Sequence, residues 1–260
     1  LLGEPAARLG RVMRIFAIDT ATWRCSVALV QGDVVLAERA ERTTSNHAGT
    51  LPRLVEETLR LAATTLDRDD ALAVTIGPGS FTGLRIALGF AKGIAYAGGH
   101  RLLGVPTLDA LALAAPPTPG RLCTVLDARK REVYAAVYER SETGLVRLGD
   151  PVAIAAETLA RRLDGPCTFI GDAVEPYGEV FTSVLGAGAV LLSSELHPPS
   201  AAAAARLALA RLRRSGEGDE LETLEPRYLR PPEAELTQSA HSPSGAPREL
   251  SFVDKVPLVY

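Results

Sequence analysis

Gly77-Pro78-Gly79-Ser80-Phe81-Thr82-Gly83-Leu84-Arg85-Ile86 is the stretch of sequence that decides the fold. It follows an apolar run, residues 71–76, that predicts a buried strand, and it opens a run, residues 81–98, that predicts a helix. Two glycines around a proline permit a tight turn with unusual backbone angles. Ser80 or Thr82 can cap the helix, whose first N–H groups attract anions. The stretch therefore predicts a strand–loop–helix element, which is either a plain capped turn or a phosphate-binding loop.

A second segment, Arg14-Ile15-Phe16-Ala17-Ile18-Asp19-Thr20-Ala21-Thr22, predicts a buried strand that ends in an aspartate and a small polar turn. Two more strands are expected on either side of Gly32-Asp33, a dipeptide typical of two-residue hairpins. Further along, alternating patterns predict an α/β protein. Strands are expected at 14–19, 25–31, 34–41, 71–76, 121–127, 132–139 and 167–170, and helices at 47–66, 81–98, 107–114, 155–163 and 200–214. The proline-rich stretch 116–120 is expected to link two lobes.

Composition limits the possible functions. The 260 residues are 47% hydrophobic and carry a net charge of -3, so the chain can bury a substantial core but has no general basic field for binding nucleic acid by itself. Cys25, Cys123 and Cys167 lie in apolar runs without metal-binding or disulfide spacing, which predicts buried, reduced thiols. No apolar run has membrane-spanning length, and the N-terminus lacks a signal-peptide pattern. We therefore expect a cytoplasmic protein.

An ordered series of segments resembles the TsaB family, the non-catalytic partners of TsaD in bacterial synthesis of threonylcarbamoyladenosine in tRNA. The series comprises the opening strands, His47, Gly77–Ile86, Phe90–Ala95, Gly104–Leu108, Asp127–Arg129, Glu132–Tyr134 and Pro226–Arg230. It covers residues 13–236. The resemblance implies a two-lobed actin-like ATPase (ASKHA) fold, in which each lobe is a mixed sheet with flanking helices and the second lobe is reduced. The lobes are expected at 13–115 and 121–236.

The two ends of the chain lie outside this resemblance. Met13 is the only methionine, and chains of the family start at this point, so we expect residues 1–12 to be a disordered extension. Residues 237–260 begin with a stretch rich in Ser, Pro and Ala, and we expect a mobile tail there, with a docked strand as the alternative.

The resemblance also points to a vestigial nucleotide site. In actin-like ATPases the phosphate-binding turn has the sequence pattern Asp-x-Gly-Thr, in which the glycine lets the backbone approach the phosphates. This chain has Ala21 at the glycine position. The candidate residues of the vestigial site are Asp19, Thr20, Thr22, Gly79 and Ser80. We expect no cofactor to be required by this chain, with ATP either bound weakly or supplied at a complex.

His47 is the candidate for a second kind of site. In TsaD the corresponding helix carries His-x-x-x-His, and two histidines one turn apart can hold a metal. Here the partner position is Leu51, so no metal site and no catalytic residue is expected, and His47 is interpreted as a helix-capping or interface residue.

Two helices carry the predicted partner surface. The first has an amphipathic stripe, and the second has glycines inside the helix, each of which costs roughly 1 kcal/mol relative to alanine. Close approach of another backbone would explain the glycines, and that backbone is either the chain's own sheet or a partner. The interface candidates are His47, Leu51, Leu54, Val55, Thr58, Ile86, Gly89, Phe90, Gly93 and Ala97. The resemblance implies that these helices bind TsaD.

The function implied by the resemblance is that of a non-catalytic scaffold. It would bind and activate TsaD, together with the ATPase TsaE, in the threonylcarbamoylation of adenosine 37 in tRNAs. The same helices would form a homodimer when TsaD is absent, and tRNA would be contacted only indirectly or weakly. The alternatives are an actin-like enzyme with its own ATPase or small-molecule kinase activity and, third, a metal-dependent peptidase. Ala21 argues against the ATPase or kinase, and Leu51 argues against the metal-dependent peptidase.

Overall fold

The apolar runs of the first half form a five-stranded sheet in the computed structural model, which describes residues 12–43, 46–118, 120–142, 144–230 and 254–258. The strands β1 (Arg14–Asp19), β2 (Arg24–Gln31) and β3 (Val34–Arg42) form an antiparallel meander. The strands β4 (Ala71–Gly77) and β5 (Leu102–Pro106) add in parallel on the other side of β1, which gives the order β3-β2-β1-β4-β5. Every residue of β1 and β4 is buried, as expected for central strands covered on both faces.

The two faces of this sheet are covered by different helices because successive side chains of a strand point to opposite sides. Phe16 and Ile18 face α1 (His47–Leu61) and α2 (Phe81–Gly98), whereas Ile15 and Ala17 face α6 (Ala201–Ser215). The helix α3 (Thr107–Ala114) follows β5 and leads to the second lobe.

The second lobe repeats the strand and helix order of the first. Its elements are β6 (Arg121–Asp127), β7 (Glu132–Ser141), β8 (Gly144–Ala155), α4 (Ala156–Arg162), β9 (Cys167–Ile170), α5 (Val174–Leu185) and β10 (Ala189–Leu192). The sheet order β10-β9-β6-β7-β8 mirrors that of the first lobe, and β11 (Lys255–Leu258) adds to its end. The second lobe is reduced in the length of its helices, since α4 has 7 residues and α1, its counterpart in the first lobe, has 15. The predicted two-lobed actin-like α/β fold is confirmed.

The predicted lobe boundary needs one correction. Although α6 lies within residues 121–236, its alanine-rich face packs on β1, β4 and β5 of the first lobe. Alanines such as Ala204 and Ala205 are fully buried there, since small side chains let a helix lie close to a sheet. The chain then stays on the first lobe, where Asp219 pairs with Arg211 and accepts from the Gly104 amide at 2.7 Å.

Every predicted strand and helix is present, but the strands β5, β8 and β10 and the helix α5 were not predicted. Breakers within two of them explain the omission, since β8 contains Gly149-Asp150-Pro151 and α5 contains Pro176 and Gly178. The first helix ends at Leu61 rather than residue 66. The three cysteines are buried free thiols, as predicted.

The ends of the chain are described only in part. The expected N-terminal extension, up to residue 11, and residues 231–253 of the C-terminal part lie outside the described residues. Residues Lys255–Leu258, expected to be mobile, instead form β11 antiparallel to β8, which is the docked-strand alternative. Among the described residues, no helix is both long and apolar enough to cross a membrane.

The helix α3 is fixed to the second lobe by a buried polar cluster. Asp109 accepts a hydrogen bond from the Tyr138 hydroxyl at 2.9 Å, and both of its carboxylate oxygens pair with the Arg147 guanidinium, at 3.0 and 2.9 Å. Burial raises the pKa of the Tyr138 hydroxyl well above its ordinary value, so it stays a neutral donor. The cluster holds the connection between the lobes in one orientation.

Candidate functional site

A cleft of about 630 Å³ lies between the two lobes. Its first-lobe wall comes from the β1–β2 turn, the β4–α2 loop and the start of α1, and its second-lobe wall comes from the ends of β6 and β9. The lining residues are Ala21, Thr22, Trp23, Thr43, His47, Gly79, Ser80, Phe81, Leu126, Asp127, Ala128, Arg129, Tyr134, Asp172 and Pro176. Three of the five predicted nucleotide-site residues, Thr22, Gly79 and Ser80, thus line one cavity.

The first-lobe wall is made by two loops that lie directly on each other. The Ser80 amide donates to the Ala21 carbonyl at 2.7 Å, and the Thr20 hydroxyl donates to the Gly83 carbonyl at 2.7 Å. A Cβ on Gly79 would come within 2.9 Å of the Ala21 Cβ, and one on Gly83 would overlap the Thr20 carbonyl oxygen. Glycine is needed at both positions because the β1–β2 turn leaves no room for a side chain.

Asp19 is not among the residues that line the cleft. The residue is only 2% exposed, and its carboxylate accepts from the Ala21 amide at 2.9 Å and from the Thr75 hydroxyl at 2.7 Å. Burial raises the pKa of Asp19 above its ordinary value, although both hydrogen bonds oppose this change. The carboxylate therefore ties β1 to β4.

These contacts do not fit the phosphates of a nucleotide. The Ser80 hydroxyl accepts from the Gly83 amide at 3.2 Å and so caps α2, while the Ser80 amide is taken by Ala21. Thr20 is fully buried, and the Thr22 hydroxyl accepts from the Arg24 amide at 3.3 Å. The donors and the carboxylate that a phosphate loop would turn toward its ligand are engaged inside the lobe, which favours the plain capped turn.

His47 reaches the cleft but does not cap its helix. The cap of α1 is Asn46, whose side-chain oxygen accepts from the Gly49 amide at 3.2 Å. His47 is the first helical residue and is buried, and burial lowers the pKa of its imidazole, which favours the neutral ring. Within the described part of the chain, no three His, Cys, Asp or Glu side chains are grouped to hold a metal.

The second-lobe wall contains two aspartates that sequence reasoning did not select. Asp172 accepts from the Asp127 amide at 2.9 Å, and Asp127 accepts from the Tyr177 hydroxyl at 3.2 Å and the Arg129 amide at 2.8 Å. Burial raises the pKa of Asp172 to about 6. The sequence pattern that selected Asp19, an acidic residue at the end of a buried strand, could also have selected Asp172, which follows Ile170 by two residues.

The loop after Asp127 has an uncommon backbone. Arg129, Lys130 and Arg131 have φ angles of 63°, 54° and 65°, in the left-handed region that residues with a Cβ rarely occupy. The Arg129 carbonyl accepts from the Glu132 amide at 3.0 Å, which closes the turn. The basic run is thereby fixed at the cleft rim.

The predicted interface residues divide into two groups. Those of α1 are mostly core: Leu51, Leu54 and Thr58 are at most 2% exposed, and the first two pack with β1 and β2. In the isolated chain these three side chains therefore belong to the core, whereas Val55 is half-buried and His47 lines the cleft.

The candidates on α2 form one outward face. Gly89, Gly93 and Ala97 are exposed, and Ile86 and Phe90 are half-buried beside them. These five residues are called the α2 face below. A Cβ on Gly89 or Gly93 would meet nothing within 4 Å, so the chain's own sheet does not explain these two glycines.

The fold and the cleft together define an actin-like protein of two lobes. A family model described as TsaD, tRNA N6-adenosine threonylcarbamoyltransferase, matches residues 35–238. The tRNA threonylcarbamoyladenosine biosynthesis protein TsaB of Escherichia coli is 34% identical over 84% of this chain and 95% of its own length, and that of Bacillus subtilis is 29% identical over 86% and 96%. A solved structure of YeaZ from Pseudomonas aeruginosa has a TM-score of 0.71 and 31% identity over 84% of this chain and 100% of its own.

The chain belongs to the TsaB family, as the resemblance of its motifs indicated.

Two glycines of α2 give a matched test of the loop contact. Gly83→Ala should destabilise the protein by about 1–3 kcal/mol, because the new methyl group overlaps the Thr20 carbonyl. Gly89→Ala should instead stabilise it by about 0.5–1 kcal/mol, since the position is open and alanine is the better helix former. Urea unfolding of both variants checks this, and equal effects would contradict the close packing of the two loops.

The buried Asp172 predicts a pH dependence of stability. Because its folded-state pKa, about 6, lies above the ordinary value of 3.8, the folded protein binds the proton more tightly than the unfolded chain does. The resulting stabilisation is present below the ordinary value and is lost as the pH rises through 6. Asp172→Asn cannot ionise, so its unfolding free energy relative to the native protein should rise between pH 4 and 7, by at most about 3 kcal/mol.

The control is Asp164→Asn, which removes an exposed carboxylate of the same lobe. Urea unfolding at several pH values measures all three proteins. If the curves of native protein and Asp172→Asn run parallel from pH 4 to 7, the buried carboxylate has no such effect.

Proposed function

We propose that this chain is a non-catalytic subunit in the biosynthesis of threonylcarbamoyladenosine in tRNA, where it binds TsaD and, with the ATPase TsaE, activates it. Family membership supports the pathway, since the relatives are named for that biosynthesis. The observation that carries the subunit role is the α2 face, where a Cβ on Gly89 or Gly93 would contact no atom of the described residues.

The energetics of the α2 face favour a partner helix. An exposed glycine inside a helix costs about 1 kcal/mol relative to alanine, and two of them lie one turn apart at positions 89 and 93. Because positions 89 and 93 carry no side chain, another backbone can approach this face closely, and burial of the apolar atoms of Ile86, Phe90 and Ala97 can offset that cost.

The cleft supports the non-catalytic part of the proposal. Asp19 and Thr20 are buried and bonded within the first lobe, and Ala21 occupies the position at which a phosphate would need closest backbone approach. In this proposal the chain needs no cofactor, ATP is bound weakly or enters at the complex, and tRNA is contacted indirectly or weakly. The α2 face also forms a homodimer when TsaD is absent, and the protein acts in the cytoplasm.

One observation favours a second candidate function. The inter-lobe cleft has the volume of a small-molecule site and contains an acidic pair, Asp127 and Asp172. An actin-like enzyme with its own ATPase or kinase activity would use such a cleft. The engaged hydrogen-bond groups of the first-lobe wall make this the weaker candidate.

Reconstitution separates the two candidates. The purified chain alone should give no threonylcarbamoyl transfer to tRNA and no ATP hydrolysis, and transfer should appear when TsaD, TsaE and the threonylcarbamoyl-adenylate synthase are added. ATP turnover by the chain alone, without capture of TsaD in a pull-down, would favour the enzyme instead.

A single substitution tests the α2 face. Gly93→Leu places a bulky side chain where two backbones are proposed to meet, so TsaD binding should weaken by at least about 1–3 kcal/mol. The melting temperature should stay the same or rise, because the position is open and leucine is a better helix former than glycine.

The matched control is Ser183→Leu, which adds a leucine to an exposed position of α5 in the other lobe. It should bind TsaD as the native chain does in isothermal titration. A Gly93→Leu chain that melts normally and binds with native affinity would remove the α2 face from the interface.

A further inference from the structure

The outer edge of β8 already receives a short strand from the far end of the chain. In β11, Lys255 lies opposite Leu148 and Leu258 lies opposite Leu145, in antiparallel register. The Gly149 amide donates to the Asp254 carbonyl at 2.7 Å where the pairing begins. Addition of an extended segment to a free sheet edge is a recurrent mode of peptide binding, in which the backbone supplies affinity and individual side chains supply specificity.

One side chain of β11 supplies most of its burial. Leu258 is 7% exposed and belongs to the apolar cluster that contains Leu145, Tyr138 and, from α3, Leu111. The preceding three residues of the strand are exposed. The Lys255 ammonium lies 3.8 Å from the Glu139 carboxylate, which is a weak surface contact.

Pro257 limits what can be added beyond β11. Proline has no N–H and is confined to edge strands, where the missing donor faces away from the ladder. The docked segment is therefore suited to end the sheet, and it covers an edge that would otherwise present unpaired backbone groups.

The strand is connected to the rest of the protein by a long segment. Residues 231–253 separate it from Arg230, the last described residue before the gap. The family match ends at residue 238, so β11 lies beyond the part of the chain shared with the family. A four-residue strand on a long connection, held chiefly by one leucine, resembles a tethered ligand more than a part of the core.

We propose that the outer edge of β8 is an acceptor site for an extended peptide, that the C-terminal strand fills it in cis, and that the same strand of a second copy of this chain fills it in trans. The pattern recognised is a basic residue, an apolar residue, proline and a buried leucine. A strand joined to its own site through residues 231–253 competes at an effective concentration on the order of millimolar. A trans ligand with a dissociation constant near 100 µM would therefore bind about tenfold more weakly when the cis strand is intact.

The test uses the full-length chain and a fluorescent peptide of residues 251–260, followed by polarisation. The variant Leu258→Asp should release its own strand and bind the native peptide at least about tenfold more tightly than the native chain does. A peptide carrying Leu258→Asp should not bind either protein. The control Leu196→Asp changes a leucine that is 78% exposed, and this variant should bind the peptide with the affinity of the native chain.

Two results would overturn the proposal: equal peptide affinity for the native chain and a folded Leu258→Asp chain, or binding that does not depend on Leu258 of the peptide. If the Leu258→Asp chain fails to fold, peptide binding to the native chain alone tests the proposal. It should bind the native peptide weakly and saturably and discriminate against the Leu258→Asp peptide, and a lack of discrimination refutes the acceptor site.

Discussion

The contact between the β1–β2 turn and the β4–α2 loop is the constraint on which the site depends. Backbone meets backbone there, because glycines at positions 79 and 83 leave no Cβ between the loops. In this contact the Ser80 amide donates to the Ala21 carbonyl and the Thr20 hydroxyl donates to the Gly83 carbonyl. This contact shapes the first-lobe wall of the cleft, which includes Ala21, Gly79 and Ser80.

The same contact fixes the orientation of α2. Its first turn is capped by Ser80 and pressed on the β1–β2 turn, so Leu84, Ala87 and Ala91 face the sheet and the α2 face is presented outward. The packing on one side of the helix thus sets the geometry of the surface on the other side. The partner role that we propose depends on this rigidity, because small residues build a groove only when the helix cannot rotate.

The second lobe is fixed at different points. Asp109, Tyr138 and Arg147 hold α3 on it, α6 returns to the first sheet, and the C-terminal strand closes the β8 edge beside the same cluster. Buried ion pairs offset their desolvation cost only when geometry and hydrogen bonding are good. In the Asp109–Arg147 pair, one guanidinium nitrogen, Nη1, lies 3.0 and 2.9 Å from the two carboxylate oxygens, and the Tyr138 hydroxyl adds a further hydrogen bond. Removal or exchange of β11 would uncover the edge of β8 beside this cluster.

The sequence by itself determined most of the strands and helices in their order, the hairpins and a helix cap at Ser80 or Thr82, because periodicity and turn chemistry are local properties. It also marked the glycines of α2 as unusual. Only the tertiary structure decided which of them meet the chain's own backbone, as Gly83 does, and which face outward, as Gly93 does. It likewise turned Leu51 and Leu54 into core residues, returned α6 to the first lobe and seated Leu258 on β8. These outcomes depend on contacts between residues far apart in the chain, which helical and strand periods do not encode.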